Sequence, residues 1–293
     1  MAQNVAKLTS VKIEDVRVTE RIKRGLIYAV LIFGALIVFI PFAWTLSTAL
    51  KAQDDVFAFP PQWIPDPIVW SNFSEAVTTR PFGRWFLNTL FVVGVSTFGT
   101  VVSASIVAFA FARLRWPGRN VLFLILLATM MLPEQVTLIP TFILFRELGW
   151  LNTFLPLIVP GFFARNAFYV FLLRQFYMTI PFDLDEAARI DGASHFQIYL
   201  YIILPMSKPA LAIAAIMFAQ FKWKEFLAPL IYLNNSDMFT VSLGLRTFIG
   251  ETWGTEWNLM MAANIIFMIP LILVFFFAQK YFIQGVVITG VKG

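Results

Sequence analysis

Five charged side chains interrupt otherwise apolar stretches of this 293-residue chain. An ionisable group near the centre of a bilayer costs about 2.5–3.5 kcal/mol on insertion scales, so it usually faces a polar cavity or a charged partner. The five are of both signs, and one tryptophan stands among them. Together they predict a pathway for a polar solute, formed by Glu134, Arg165, Lys222, Trp223, Lys224 and Glu225.

The same residues allow a plainer interpretation, in which the charges only neutralise one another. Glu134 would pair with Arg165, and Glu225 with one of the two lysines, which leaves one Lys over. Trp223 could stack on a sugar ring, although an aromatic side chain in an apolar helix more often serves packing. Both interpretations stay open at this point.

A second pattern lies between residues 181 and 205. Asp183 is a suitable N-cap for a short helix, and Gly192 can take a positive φ at little cost, which allows a sharp turn. Two short helices bent at this glycine would make a compact knob. The residues that carry the pattern are Glu186, Ala187, Ala188, Asp191, Gly192, Leu204 and Pro205.

The elements that must position these residues follow from composition. The chain is 59% hydrophobic and 13% charged, whereas a soluble domain has about 25% charged residues. This excludes an ordinary soluble enzyme and predicts an all-α polytopic membrane protein. A span needs about 20 apolar residues. Six segments qualify: 25–50, 85–112 and 257–279 without charge, and 120–141, 153–173 and 208–233 with charged interruptions.

The distribution of Lys and Arg predicts the orientation. If both termini are cytoplasmic, the inner segments hold fourteen of the 22 cations. The predicted organisation is a cytoplasmic segment 1–25, a six-helix transmembrane domain 26–281 and a cytoplasmic tail 282–293. The domain contains the cytoplasmic loop 174–207 and the outer loops 51–84 and 234–256.

The 181–205 segment resembles the EAA motif of membrane subunits of ABC importers. Glu186-Ala187-Ala188, with Gly192 four residues on and then Leu204-Pro205, follows its pattern, and the form up to Ser194 is similar to the carbohydrate-importer branch. Further matches run along residues 26–293. They are Asn88-Thr89, Arg113-Leu114, Pro117-Gly118-Arg119, Met131-Leu132-Pro133, Leu148-Gly149, Asn152-Thr153, Trp223–Leu227 and the ending Gly290-Val291-Lys292-Gly293, which is similar to the second, shorter permease of a maltose-type pair.

The resemblance implies partners and a mechanism. It implies a heterodimer with a second permease, two cytoplasmic ATPase subunits, an external solute-binding protein and a place in a bacterial or archaeal cytoplasmic membrane. Glu186 would meet a basic residue of the ATPase, and Gly192 would be the hinge turn. The chain lacks Gly-x-x-x-x-Gly-Lys-[Ser/Thr], so it is expected to bind no cofactor itself, with ATP and Mg on the ATPase subunits.

The solute is the most open question. Where the family typically has Trp-Asn-Glu-Phe, this chain has Trp223-Lys224-Glu225-Phe226, which suggests an anionic solute such as a uronate oligosaccharide. Another small solute, such as a glycerol phosphate, is an alternative. A self-sufficient secondary carrier would need inverted repeats or broken helices, which the sequence does not show. An intramembrane enzyme would need a nucleophile–base or ligand cluster, and the sequence offers none: it has no Cys and one His, His195.

Overall fold

The computed structural model describes residues 2–250 and 254–290, with side chains described for 20–250, 254–277 and 279. Within these residues all regular elements are helical and there is no strand. The α-helices are α1 (Ala2–Ala49), α2 (Ser71–Thr78), α3 (Phe82–Arg113), α4 (Arg119–Thr129), α5 (Glu134–Glu147), α6 (Leu155–Ile158), α7 (Ala167–Thr179), α8 (Asp183–Ile190), α9 (His195–Ile198), α10 (Leu204–Met206), α11 (Lys208–Trp223), α12 (Leu227–Tyr232), α13 (Val241–Gly244) and α14 (Trp257–Gly290). The 3-10 segments are Gln53–Asp55, Val159–Phe163, Ser236–Met238 and Leu245–Phe248, and a π-helical turn covers Tyr199–Ile203.

Four helical stretches of the described residues are individually long and apolar enough to cross a membrane. They are Glu20–Ala49, Phe82–Arg113, Leu155–Thr179 and Trp257–Phe277. Two bent pairs reach the same length and hydropathy jointly: α4 with α5, bent by 96°, and His195–Met206 with α11, bent by 76°. The predicted all-α membrane fold is therefore confirmed, with four to six candidate spans. Residues 251–253 of the second outer loop and 291–293 of the tail lie outside the described residues, as does Met1.

Three of the predicted spans contain helix breaks, which were not visible in the sequence. The predicted third span is interrupted between α4 and α5, directly before Glu134. The fourth loses its helical path at Ala164, whose φ is 50°, directly before Arg165, and the fifth is interrupted between α11 and α12. A break leaves backbone N–H and C=O groups without helical partners, and such groups are tolerated at membrane depth only where they line a cavity or face protein. Each break lies beside charged side chains. Broken backbone and charged side chains both need a polar cavity or a protein partner, so one site can serve both.

The long helix α3 lies at the centre of the packing. It contacts α7, α11 and the 3-10 segment 159–163, and its interior face carries the fully buried Ala104 and Ala108. Small side chains let helices approach closely, which is how membrane helices gain packing energy when lipid removes the usual hydrophobic drive. By contrast, the large apolar side chains between residues 22 and 40 of α1 are exposed, and this helix packs against α14. The core thus surrounds α3 and supports the site described next.

Candidate functional site

Four of the predicted pathway residues come together around one cavity. The cavity has a volume of about 310 Å³, and a second cavity of about 290 Å³ shares part of its lining. The charged side chains common to both are Glu134, Arg165, Lys222 and Glu225. They come from three separate stretches of the sequence, so the helix breaks bring together charges that are far apart along the chain.

Each charge is placed by the end of a helix. Glu134 is the first residue of α5, where the positive end of the helix dipole favours a carboxylate. Arg165 follows the left-handed residue Ala164 and precedes the N-cap of α7. Lys222 and Glu225 stand on either side of the C-terminus of α11, and the carbonyl of Glu225 accepts a hydrogen bond of 2.6 Å from the Ser242 hydroxyl.

The charge-neutralising interpretation is half right. The Lys222 ammonium lies 2.6 Å from the Glu225 carboxylate, and both side chains are largely buried. Glu134 and Arg165, in contrast, line the same cavity without forming an ion pair within 4.0 Å in the described part of the chain. The cavity therefore presents one neutralised ion pair, the carboxylate of Glu134 and the guanidinium of Arg165.

Uncharged groups complete the lining. Ser96 and Thr100 of α3 border the cavity with buried side chains, and the Ser96 hydroxyl donates to the carbonyl of Val92. Asn166 contributes an amide, and Phe168 and Phe221 contribute aromatic faces. Among the described residues the buried Thr100 hydroxyl makes no hydrogen bond. Donors, acceptors and aromatic faces around one small volume suit a polyhydroxylated solute, because hydroxyls need both kinds of partner and sugar rings pack on aromatics.

Two predicted pathway residues lie outside this lining. Trp223 is buried, stacks on Phe267 with ring centroids 5.1 Å apart, and donates a hydrogen bond of 3.2 Å to the carbonyl of Phe267. Its ring therefore serves packing between α11 and α14. Lys224 is exposed and does not border either cavity. The lysine within reach of the cavity is Lys222, which already has a partner.

The predicted coupling loop forms the expected knob of two short helices. α8 ends at Ile190 and is followed by Gly192, whose φ is 83°, and the N–H of Ala193 donates to the carbonyl of Ala188 at 2.9 Å. This bond is one half of a Schellman closure, which requires the left-handed residue that Gly supplies. The second helix restarts with a capping box between Ser194 and Gln197, a signal present in the sequence but not used in the prediction.

The residues predicted to contact the ATPase mostly point outward. Glu186, Ala187, Asp191, Gly192 and Pro205 are exposed, while Ala188 and Leu204 are half-buried. The predicted N-cap is wrong: Phe182 occupies that position and makes no side-chain cap bond, and Asp183 is the first residue of α8. The knob thus presents an acid and small side chains on an exposed ridge.

One polar contact of the knob was not predicted. The carboxylate of Asp185 is buried and accepts a hydrogen bond of 3.1 Å from the guanidinium of Arg113 at the end of α3. Burial raises the pKa of the Asp185 carboxyl above its ordinary value, and the charge of Arg113 opposes that rise. A signal existed in the sequence: Asp185 precedes Ala188 by one helical turn, so it shares the face that was expected to pack.

The comparisons with known proteins agree with this architecture. Residues 101–288 match the family described as "Binding-protein-dependent transport system inner membrane component". The sn-glycerol-3-phosphate transport system permease protein UgpE of Yersinia pestis is 33% identical over 275 residues, which cover 90% of this chain and 97% of that protein. The arabinooligosaccharides transport system permease protein AraQ of Halalkalibacterium halodurans is 34% identical over 230 residues, covering 78% and 81%.

A solved structure is similar as well. The crystal structure of a bacterial ABC transporter involved in the import of the acidic polysaccharide alginate contains a chain that is 26% identical, with a TM-score of 0.77. The match covers 88% of this chain and 96% of that chain. This chain belongs to the family of inner membrane components of binding-protein-dependent transport systems.

Proposed function

We propose that this chain is a permease subunit of an ATP-driven, binding-protein-dependent importer of carbohydrates, with acidic oligosaccharides as its substrate class. The cavity carries the proposal, because it combines hydroxyl, amide, aromatic and charged groups at the breaks of three helices. AraQ and the alginate transporter support the carbohydrate class.

The acidic preference rests on Arg165. Lys224, which first suggested an anionic solute, is outside the cavity, and Lys222 is neutralised by Glu225. Arg165 makes no ion pair within the described residues, and a guanidinium offers two parallel donors to a carboxylate. A uronate carboxylate would meet Arg165, and the sugar hydroxyls would meet Glu134 and Asn166.

The membrane arrangement that fits this function has six spans, with each bent helix pair counted as one. Both termini then lie on the cytoplasmic side of a bacterial inner membrane, where fourteen of the 22 cations collect. The cavity falls at the helix breaks inside the membrane, and the knob falls on the cytoplasmic surface.

The partners follow from the same proposal. A second, homologous permease completes the transmembrane pathway, two ATPase subunits hold ATP and Mg, and an external binding protein delivers solute. The exposed ridge of Glu186, Ala187 and Gly192 is the contact for an ATPase subunit. ATP-driven closure of the ATPases moves the knob and switches the cavity between outer and inner access.

The test is solute-dependent ATP hydrolysis by the complete reconstituted transporter. The panel holds a neutral oligosaccharide, a uronate oligosaccharide of the same length and glycerol 3-phosphate, the last because UgpE relatives are similar to this chain. We expect the uronate to stimulate most, and Arg165→Gln to reduce its advantage over the neutral sugar about tenfold, as loss of a charge-assisted hydrogen bond predicts.

Lys224→Asn is the matched control, since it removes a cation that does not border the cavity. An equal response to neutral and acidic sugars, unchanged by Arg165→Gln, would contradict the acidic class. Stimulation by glycerol 3-phosphate alone would contradict the carbohydrate class. Solute movement by the purified chain without ATPase subunits would instead favour a secondary carrier.

A further inference from the structure

The central helix α3 is attached to both limbs of the knob by buried polar contacts. The first limb is α8 with the residues that lead into it, and the second limb is α9 with the π-helical turn Tyr199–Ile203. The first contact is the guanidinium of Arg113, the last residue of α3. It donates to the carbonyl of Ile180 at 2.9 Å, to the carbonyl of Pro181 at 3.2 Å and to the carboxylate of Asp185 at 3.1 Å. These acceptors span the junction between α7 and α8, so one side chain fixes the angle at which the first limb leaves the membrane.

The second contact is a cluster of three hydroxyls. Ser105 of α3 lies 2.6 Å from the hydroxyl of Tyr177 in α7 and 2.8 Å from the hydroxyl of Tyr199. All three side chains are buried, and Tyr199 begins the π-helical turn of the second limb. Ser105 and Arg113 are eight residues apart, which is about 12 Å along a helix. Both limbs of the knob are thus attached to α3 at two separated points. Two attachment points oppose rotation of the knob relative to α3 as well as translation along it.

The same helix, α3, extends to the cavity. Ser96 and Thr100 line the cavity, and α3 runs from Phe82 to Arg113 without a break. The other main-chain paths around the cavity are interrupted there, at Ala164, between α4 and α5, and between α11 and α12. An unbroken helix transmits displacement along its length, whereas a broken path absorbs it in the dihedral angles of the break.

Burial raises the pKa of the Asp185 carboxyl, and the adjacent charge of Arg113 opposes that rise. The guanidinium also donates to two backbone carbonyls that precede α8. Because these three contacts start from one side chain, they fix the orientation of α8, which carries Glu186.

Building on the proposed importer function, we propose that Arg113 is a positioning residue that locks the knob to α3 and makes α3 the lever between the ATPase contact and the solute cavity. Movement of the knob then reaches Thr100 directly, through one helix. This differs from transmission through the predicted spans three to five, all of which contain breaks or bends.

The test compares coupling, measured as solute transported per ATP hydrolysed, in the complete reconstituted transporter. Arg113→Met combined with Asp185→Leu removes the lock and leaves neither charge without its partner. Asp185→Asn keeps an acceptor oxygen for Arg113. Arg113→Lys keeps the positive charge but loses the planar guanidinium that donates to three acceptors at once. Asp183→Asn is the control, an exposed acid on the same helix.

We expect the double variant to retain the ATPase subunits on purification and to lose coupling at least fivefold, the lower range of allosteric couplings. Asp185→Asn should lie between it and the wild type, and Asp183→Asn should match the wild type. Normal coupling in the double variant overturns the proposal, and so does coupling lost only in proportion to lost ATPase subunits. A wild-type complex that moves no solute with ATP refutes the proposed function instead.

Discussion

Replacing Glu225 with Gln should strongly destabilise the chain, because it leaves the ammonium of Lys222 buried without its counter-charge. The two groups lie 2.6 Å apart, with side-chain exposures of 9% for Lys222 and 19% for Glu225. Removing one member of a fully buried pair costs about 3–5 kcal/mol. The residual exposure of Glu225 allows some water, so we expect the lower end, about 3 kcal/mol.

A second variant separates the pair from its surroundings. Lys222→Met combined with Glu225→Met removes both charges, and an apolar replacement of a buried pair is often neutral, so we expect a change within about 1 kcal/mol of the wild type. The control is Glu147→Gln, because Glu147 pairs with Arg146 at exposures of 67% and 58%. An exposed pair of this kind contributes about 0–1 kcal/mol.

The measurement is the free energy of unfolding in mixed micelles of a mild detergent and dodecyl sulfate. A Glu225→Gln variant as stable as the Glu147→Gln control would refute the argument, since the charge of Lys222 would then be solvated. A double variant as unstable as Glu225→Gln would also refute it, because the loss would come from packing and not from charge.

Two glycine positions give further predictions. Gly192→Ala forces an alanine into a left-handed backbone conformation, and its new Cβ meets no atom within 4 Å, so backbone strain alone costs about 1–2 kcal/mol. This strain should lower the amount of solute transported per ATP while the complex still assembles. Coupling equal to the wild type would count against the Schellman turn as a fixed corner of the knob. Gly161→Ala places a new Cβ 2.8 Å from Thr100 Oγ1 and 3.0 Å from the Ser96 carbonyl, which should cost about 1–3 kcal/mol in unfolding free energy and weaken solute-stimulated ATP hydrolysis. An unchanged response to solute in Gly161→Ala would show that this wall of the cavity does not contact solute.

The knob and the Lys222–Glu225 pair illustrate what local spacing can predict. A glycine after a short amphipathic helix indicates a left-handed turn, and Gly192 has it. An acid and a lysine three residues apart can meet across one turn, and Glu225 meets Lys222 just beyond the end of α11, where its N–H also donates to the carbonyl of Lys222 at 3.3 Å. In both cases the contacts lie within a few residues of each other.

The chain's composition and sequence spacing alone determined the membrane class, the all-α fold, the knob and the presence of charges within apolar stretches. The tertiary structure alone decided that Glu134 and Arg165 share a cavity with Lys222 and Glu225, and that Trp223 packs instead on Phe267. It also decided that Arg113 holds Asp185, 72 residues away. The physical reason is that helical periodicity fixes which side chains share a face within one segment. Which faces meet depends on where the helices break and how closely small residues let them pack.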